Sequence, residues 1–142
     1  MTLNGYYLED IEIGMTDGFA RTITEADIVL FCGISGDTNP VHLNEDYAKG
    51  TMFKGRIAHG MLTAALVSTV LGTKLPGPGA IYVSQNLKFL APVRAGYTVK
   101  ATVTVREINA ERKRVTLDTV CTVGETKVVD GEAVIMVPRR PA

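Results

Sequence analysis

Two different periods divide the chain. In "YTVKATVTVRE", Val99, Ala101, Val103 and Val105 alternate with Thr98, Lys100, Thr102 and Thr104. A period of two gives a strand one covered face and one wetter face. "IYVSQNLKFL", "RKRVTLDTVCTV" and "KVVDGEAVIMV" carry the same strand character. The breaks "PVRAG", "INAERK" and "VGETK" are short enough for antiparallel connections. The second half therefore predicts about four long antiparallel strands.

The first half reads differently. "YYLEDIEIG" is an irregular lead-in and "GFARTI" a short strand. "TITEADIVLFCGISGD" then starts a helix, with Thr24 as N-cap and Glu25 and Asp27 placing negative charge in its first turn. Ile28, Val29, Phe31 and Cys32 supply its apolar positions, and Gly33 and Gly36 weaken its end. After Pro40, "LNEDYAKG" predicts a short helix capped by Asn44 and closed near Gly50. The stretch from His59 to Thr73 predicts the main helix. It is apolar nearly all round, so burial on most sides is expected. Its β-branched residues argue weakly against a helix. The run is nonetheless long for a strand, and Gly60 and Gly72 bracket it. "LPGPG", residues 75 to 79, links helix to sheet. The resulting class is α+β: a buried helix wrapped by a curved antiparallel sheet, with a helix-rich insert.

Composition narrows the function. A length of 142 residues suits one domain, 1–142, and no repeat, low-complexity tract or linker divides it. Lys plus Arg and Asp plus Glu both count 15, so no basic excess points to nucleic acid. No zinc-finger spacing, Walker loop or aromatic-basic RNA motif is present. The N-terminus lacks the basic and apolar regions of a secretory signal. The charge-free run Gly60–Thr73 falls short of the roughly 20 residues that span a bilayer. A soluble cytoplasmic protein with no membrane or nucleic-acid partner is expected. Cys32 and Cys121 lie in apolar segments and read as small buried hydrophobes in a reducing compartment, with a single disulfide left open.

Candidate chemistry gathers at "GDTNPVH", residues 36 to 42. Asp or Asn beside Gly or Pro is ordinary loop punctuation, and a lone histidine is usually only a satisfied one. Asp37 and His42 together are more informative. Pro40 fixes its own φ and pushes Asn39 out of the helical region, which can aim Asp37 and His42 at one point. Both side chains are mainly unprotonated near neutrality. A water between them could lose a proton to one and be oriented by the other. A metal is the competing reading, with His59 as third ligand. Neither an H-E-x-x-H motif nor a cysteine pair supports it. Ser35 and Ser68 lack a nucleophile-elbow setting, and neither cysteine adjoins a basic group. In "RIAHGML", His59 and Gly60 stand where the main helix begins. Unpaired N–H groups there can stabilise a carbonyl oxygen as it gains charge, and Gly60 has no side chain to block its approach. His59 reads first as a residue closing the helix entrance.

These motifs resemble the MaoC-like (R)-specific enoyl-CoA hydratases, or hydratase 2, of hot-dog fold. "FCGISGDTNPVHLNEDYA", "RIAHGMLTAALVS", "LPGPGAIYVSQNLKFLAPVRAGYTV" and "GEAVIMV" carry the resemblance over nearly the whole chain. It implies a long helix as sausage, an antiparallel sheet as bun, and an insert overhanging the substrate tunnel. By motif position it implies Asp37 and His42 as the catalytic pair. It also implies a Gly60 N–H donated to the thioester oxygen and a place for Ser68 near the pair. Asn39 and His59 complete the candidate substrate-binding set. The implied reaction adds water to a trans-2-enoyl-CoA without metal or redox cofactor, in a homodimer of two units side by side. A dehydratase acting on acyl-carrier-protein thioesters and a non-catalytic acyl-thioester-binding subunit are the alternatives.

Overall fold

The computed structural model describes residues 3–142. A single 3-10 turn, Leu8–Asp10, leads into β1 (Thr16–Thr22). Four helical segments follow: α1 (Glu25–Ser35), α2 (Pro40–Leu43), α3 (Glu45–Lys49) and α4 (Gly60–Thr73). The chain ends in β2 (Ile81–Phe89), β3 (Thr98–Asn109), β4 (Arg114–Val123) and β5 (Thr126–Met136). The strands form one five-stranded sheet in the order β1-β3-β4-β5-β2, antiparallel throughout. The sheet wraps α4, which packs against β1, β3, β4 and β5. This is the hot-dog arrangement. No helix among the described residues is long and apolar enough to cross a membrane.

The alternation in β3 is realised as read. Val99, Ala101, Val103 and Val105 are buried, and their intervening neighbours are not. Val115, Leu117 and Cys121 of β4 and Ala133 and Ile135 of β5 extend that layer. Leu66, Val67, Val70 and Leu71 of α4 close the core from the other side.

Two expectations need correction. Although α4 is apolar nearly all round, it is not covered all round. Met61, Ala65, Ser68 and Gly72 form an exposed stripe at helical spacing. The sheet covers one side of the helix, and small or flexible residues on the other leave little periodic contrast in the sequence. The second correction concerns residues 40–43, which the pattern passes over as a bend. They form a helical turn, with Asn39 as N-cap and Pro40 at its start. Proline suits that position because its missing N–H would have no helical partner there.

The insert is held by local caps. At α1 the Asp27 N–H donates to Thr24 Oγ1 at 3.1 Å, and the Thr24 N–H donates to Asp27 Oδ2 at 2.8 Å. Arg21 Nη2 donates to Asp27 Oδ1 at 2.7 Å. The Thr24 N–H foremost, helped by its hydroxyl and by Arg21, holds the Asp27 carboxyl below the usual range against the opposing effect of burial. A lowered folded pKa means stability fully present above the unfolded value and lost as pH falls through the folded one. Asp27→Asn is therefore expected to lose about 1 kcal/mol at neutral pH. That deficit should shrink below about pH 4. Urea unfolding at pH 7 and pH 3 measures it, and an equal deficit at both would contradict the assignment.

Candidate active site

Asp37 and His42 are set by how α1 ends and α2 begins. Gly36 caps α1 in the left-handed region, at φ 78°, where a side chain would be strained. Asp37 follows in an exposed loop, with its N–H donated to Ser35 Oγ at 3.1 Å. The Asp37 carboxylate accepts the Asn39 N–H at 3.2 Å. Asn39 Oδ1 accepts the Val41 N–H at 3.1 Å, so this side chain is engaged in capping α2. The turn of α2 then carries Val41 and His42 inward, and His42 is 7% exposed. Its Nδ1 lies 2.8 Å from the Ile57 carbonyl oxygen. A carbonyl only accepts, so Nδ1 carries the hydrogen and Nε2 of the neutral ring presents a lone pair.

His59 brings a second ring to the same place. The His42 and His59 rings are stacked, with centroids 3.7 Å apart and planes inclined by 26°. Phe31 packs on His59 at 4.7 Å between centroids. Asp37, His42 and His59 each offer a polar atom within 4.8 Å of the others. A water making two hydrogen bonds of about 2.8 Å at a tetrahedral angle spans roughly 4.6 Å. Asp37 and His42 are thus within reach of one shared water, whereas the stacked faces of His42 and His59 leave no room for one between them. By composition the cluster could also hold a metal. The stacking argues otherwise: an ion in the plane of one imidazole would lie outside the near-parallel plane of the other. His59 Nε2 also faces the Asp37 carbonyl oxygen, at 3.0 Å.

Gly60 opens α4 directly after His59. Its N–H meets no acceptor among the described residues. That leaves it aimed outward at the positive end of a 14-residue helix. A Cβ on Gly60 would lie 2.6 Å from ring carbons of Phe89. Gly60, Thr63, Phe89, Ile57 and Val129 help to line an apolar cavity of about 480 Å³. The Thr63 hydroxyl on that wall is buried and has no partner within the chain. Ser68 is not in this cavity. It lies eight positions along α4 from Gly60, about 12 Å at 1.5 Å per residue. There it lines a separate groove of about 530 Å³ with Phe31, Met61 and Tyr82. Phe31 links that groove to the histidine pair.

The loop under the cluster is clamped. Arg56 makes a two-pronged bond to Glu25, at 2.5 and 3.0 Å, and its Nε lies 3.4 Å from Glu45. Arg94 donates to the carbonyl oxygens of Arg56, at 3.0 Å, and Phe53. These contacts join α1, α3 and the segment before α4. The cysteines add no nucleophile. Both are free and buried, and burial pushes the Cys121 thiol up to about 12.

The sequence pattern brought out Asp37, His42 and Gly60. It missed the imidazole stack and Phe89, because residues 42, 59 and 89 meet only through the tertiary fold. The Asn-Pro pair was a usable signal for α2, since Asn at an N-cap followed by Pro starts helices.

A family model described as MaoC like domain matches residues 11–128. An (R)-specific enoyl-CoA hydratase of Rhodospirillum rubrum is 61% identical over 135 residues, covering 95% of this chain and 94% of that protein. A 3-hydroxybutyryl-CoA dehydratase of Methylorubrum extorquens is 51% identical over 134 residues, covering 94% and 85%. Among solved structures, an R-hydratase of Pseudomonas aeruginosa in unliganded form superposes with a TM-score of 0.89 at 42% identity. That match covers 97% of this chain and 89% of that one.

Proposed function

Because the chain belongs to the family of MaoC-like domains, we propose that it adds water to trans-2-enoyl-CoA, giving (R)-3-hydroxyacyl-CoA, and catalyses the reverse dehydration. The observation that supports this reading is the placing of Asp37 and His42 within 4.8 Å of each other, in reach of one shared water, close to the free N–H of Gly60. An enoyl thioester is electrophilic at C3 because its double bond is conjugated to the carbonyl. The water oxygen bonds to C3, the C2–C3 π pair shifts, and negative charge builds on the thioester oxygen. Gly60 N–H faces that oxygen. His42, with Nδ1–H held by Ile57, accepts the water proton at Nε2, while Asp37 orients the water. One proton returns to C2 as the carbonyl re-forms. Water and C2 proton then add on the same face.

Hydration of crotonyl-CoA by purified protein tests this. The product should be oxidised by an (R)-specific 3-hydroxyacyl-CoA dehydrogenase and not by an (S)-specific one. Oxidation by the (S)-specific enzyme alone would refute the stereochemistry. Faster turnover of the matching acyl-carrier-protein thioester would move the substrate class.

The working unit in this reading is a homodimer. At one end of the sheet, β2 exposes Ile81, Tyr82, Val83 and Phe89. Long apolar edge strands are liabilities unless covered. The exposed stripe of α4 and the Ser68 groove adjoin that edge, so a second copy paired there would close the acyl tunnel near the interface. Light scattering at micromolar concentration is expected to give twice the chain mass. A monomer would count against this assembly.

A further inference from the structure

The chain has only two histidines, and they lie face to face. His59 is 2% exposed and touches both members of the reacting pair: His42 through its ring face and Asp37 through the 3.0 Å contact from Nε2 to the backbone oxygen. We propose that His59 is a positioning residue, fixed as the Nε2–H tautomer, that holds Asp37 and His42 in register while His42 is fixed as the Nδ1–H tautomer. This rests on the hydratase reading for its kinetic consequence, but not for its structural one.

The tautomer assignment follows from the acceptors. The Asp37 carbonyl cannot donate, so an unprotonated His59 Nε2 would set lone pair against lone pair at 3.0 Å. The Cys32 thiol, 3.5 Å from the same nitrogen, does not relieve that conflict. Nε2–H pointing at the carbonyl does. His59 Nδ1 then keeps a lone pair that is buried and unpaired. Such a nitrogen is destabilising. A phenylalanine or leucine would fill the space between Phe31 and His42 without it. Packing alone therefore does not account for an imidazole here, whereas the bond to Asp37 does.

Positioning follows from what else holds the pair. Asp37 sits in an exposed loop whose other hydrogen bonds are to residues 35 and 39 of its own segment. The His59 bond is its tie to the start of α4, and so to Gly60. His42 is held in its plane by Ile57 and against tilting by the His59 face. One ring thus relates the water-binding groups to the N–H that faces the thioester oxygen. A misplacement of about 1 Å in such a constellation can cost about 10²-fold in rate.

Two variants separate the bond from the stack. His59→Phe keeps an aromatic face and removes the donor together with the unpaired nitrogen. It is expected to melt no lower than the wild type, yet to lose about 10–10²-fold in kcat on crotonyl-CoA with KM little changed. His59→Gln keeps a donor near the Nε2 position and should recover much of that kcat even where it melts lower. A purely structural residue would behave oppositely, with activity following stability. A fully active His59→Phe overturns the proposal. Imidazole nitrogen NMR on wild-type protein labelled with ¹⁵N-histidine is the second arm. With two histidines, one Nδ1–H and one Nε2–H pattern is expected, and the His59 variants assign them. Two identical tautomers, or the reverse assignment, overturn it. This measurement needs no turnover, so it judges the histidine arrangement even where the hydratase reading fails.

Discussion

Asp37→Asn and His42→Gln are each expected to lower crotonyl-CoA hydration by about 10²–10⁴-fold, the usual contribution of one acid–base group. Both proteins should remain folded. Asp37 is exposed, and Asn at that position can still accept the Asn39 N–H through its amide oxygen. What disappears is the charge that, in the proposed mechanism, orients the water. His42→Gln removes the Nε2 lone pair from a ring already bound at Nδ1. The loss should appear mainly in kcat, because neither group is needed to bury the acyl chain. The double variant should be little worse than the poorer single one, since residues acting on one water form a unit and their effects do not add. Circular dichroism confirms the fold, and initial rates over a substrate series give kcat and KM. Either single variant turning over near the wild-type rate would remove Asp37 and His42 from the chemistry. Fully additive losses would mean that they act on separate steps.

The part of this site legible in the sequence is the part that is local. Asp37 and His42 are five residues apart, and Asn39-Pro40 between them has narrow backbone preferences, so their proximity follows from short-range geometry. The same holds for the caps at Thr24 and Asn44, whose side chains accept bonds from residues three positions on. The strands of the second half were legible because a half-covered sheet imposes a period of two, which Val99 to Val105 obey without exception. What escaped depends on distant segments. His59 meets His42 only because the Ile57 carbonyl, bound by His42, and the Arg56 bonds to Glu25 and Glu45 hold the segment before α4 against the insert. Phe89 reaches Gly60 from a strand that follows α4. The exposed side of α4 was hidden for another reason. Met61 and Ala65 are apolar by composition, and residue type alone does not distinguish a side that faces the core from one the chain leaves exposed.

Gly60→Ala is expected to cost up to about 10²–10³-fold in kcat/KM, the loss seen when an oxyanion donor is removed, if its methyl group keeps the thioester oxygen from the N–H. Three features of Gly60 lead there. It is the first residue of α4, and its N–H has no acceptor among the described residues. Its missing side chain leaves room for the Phe89 ring, which a Cβ would meet at 2.6 Å. Alanine is also the better helix former, by about 1 kcal/mol, so the variant should fold. The cost must therefore come from space. The new Cβ would sit 2.6 Å from the Phe89 ring, and Phe89, 53% exposed, can swing aside. The N–H remains after substitution, and under the proposed mechanism the added methyl group crowds the thioester oxygen's approach to it. A second variant separates this from damage at Phe89. Gly60→Ala combined with Phe89→Ala frees room for the Cβ without restoring the oxygen's approach. If the N–H is the donor, the double variant stays as impaired as Gly60→Ala. Recovery of activity in the double variant would show that Gly60 serves only to clear the Phe89 ring, and the thioester oxygen would need another donor.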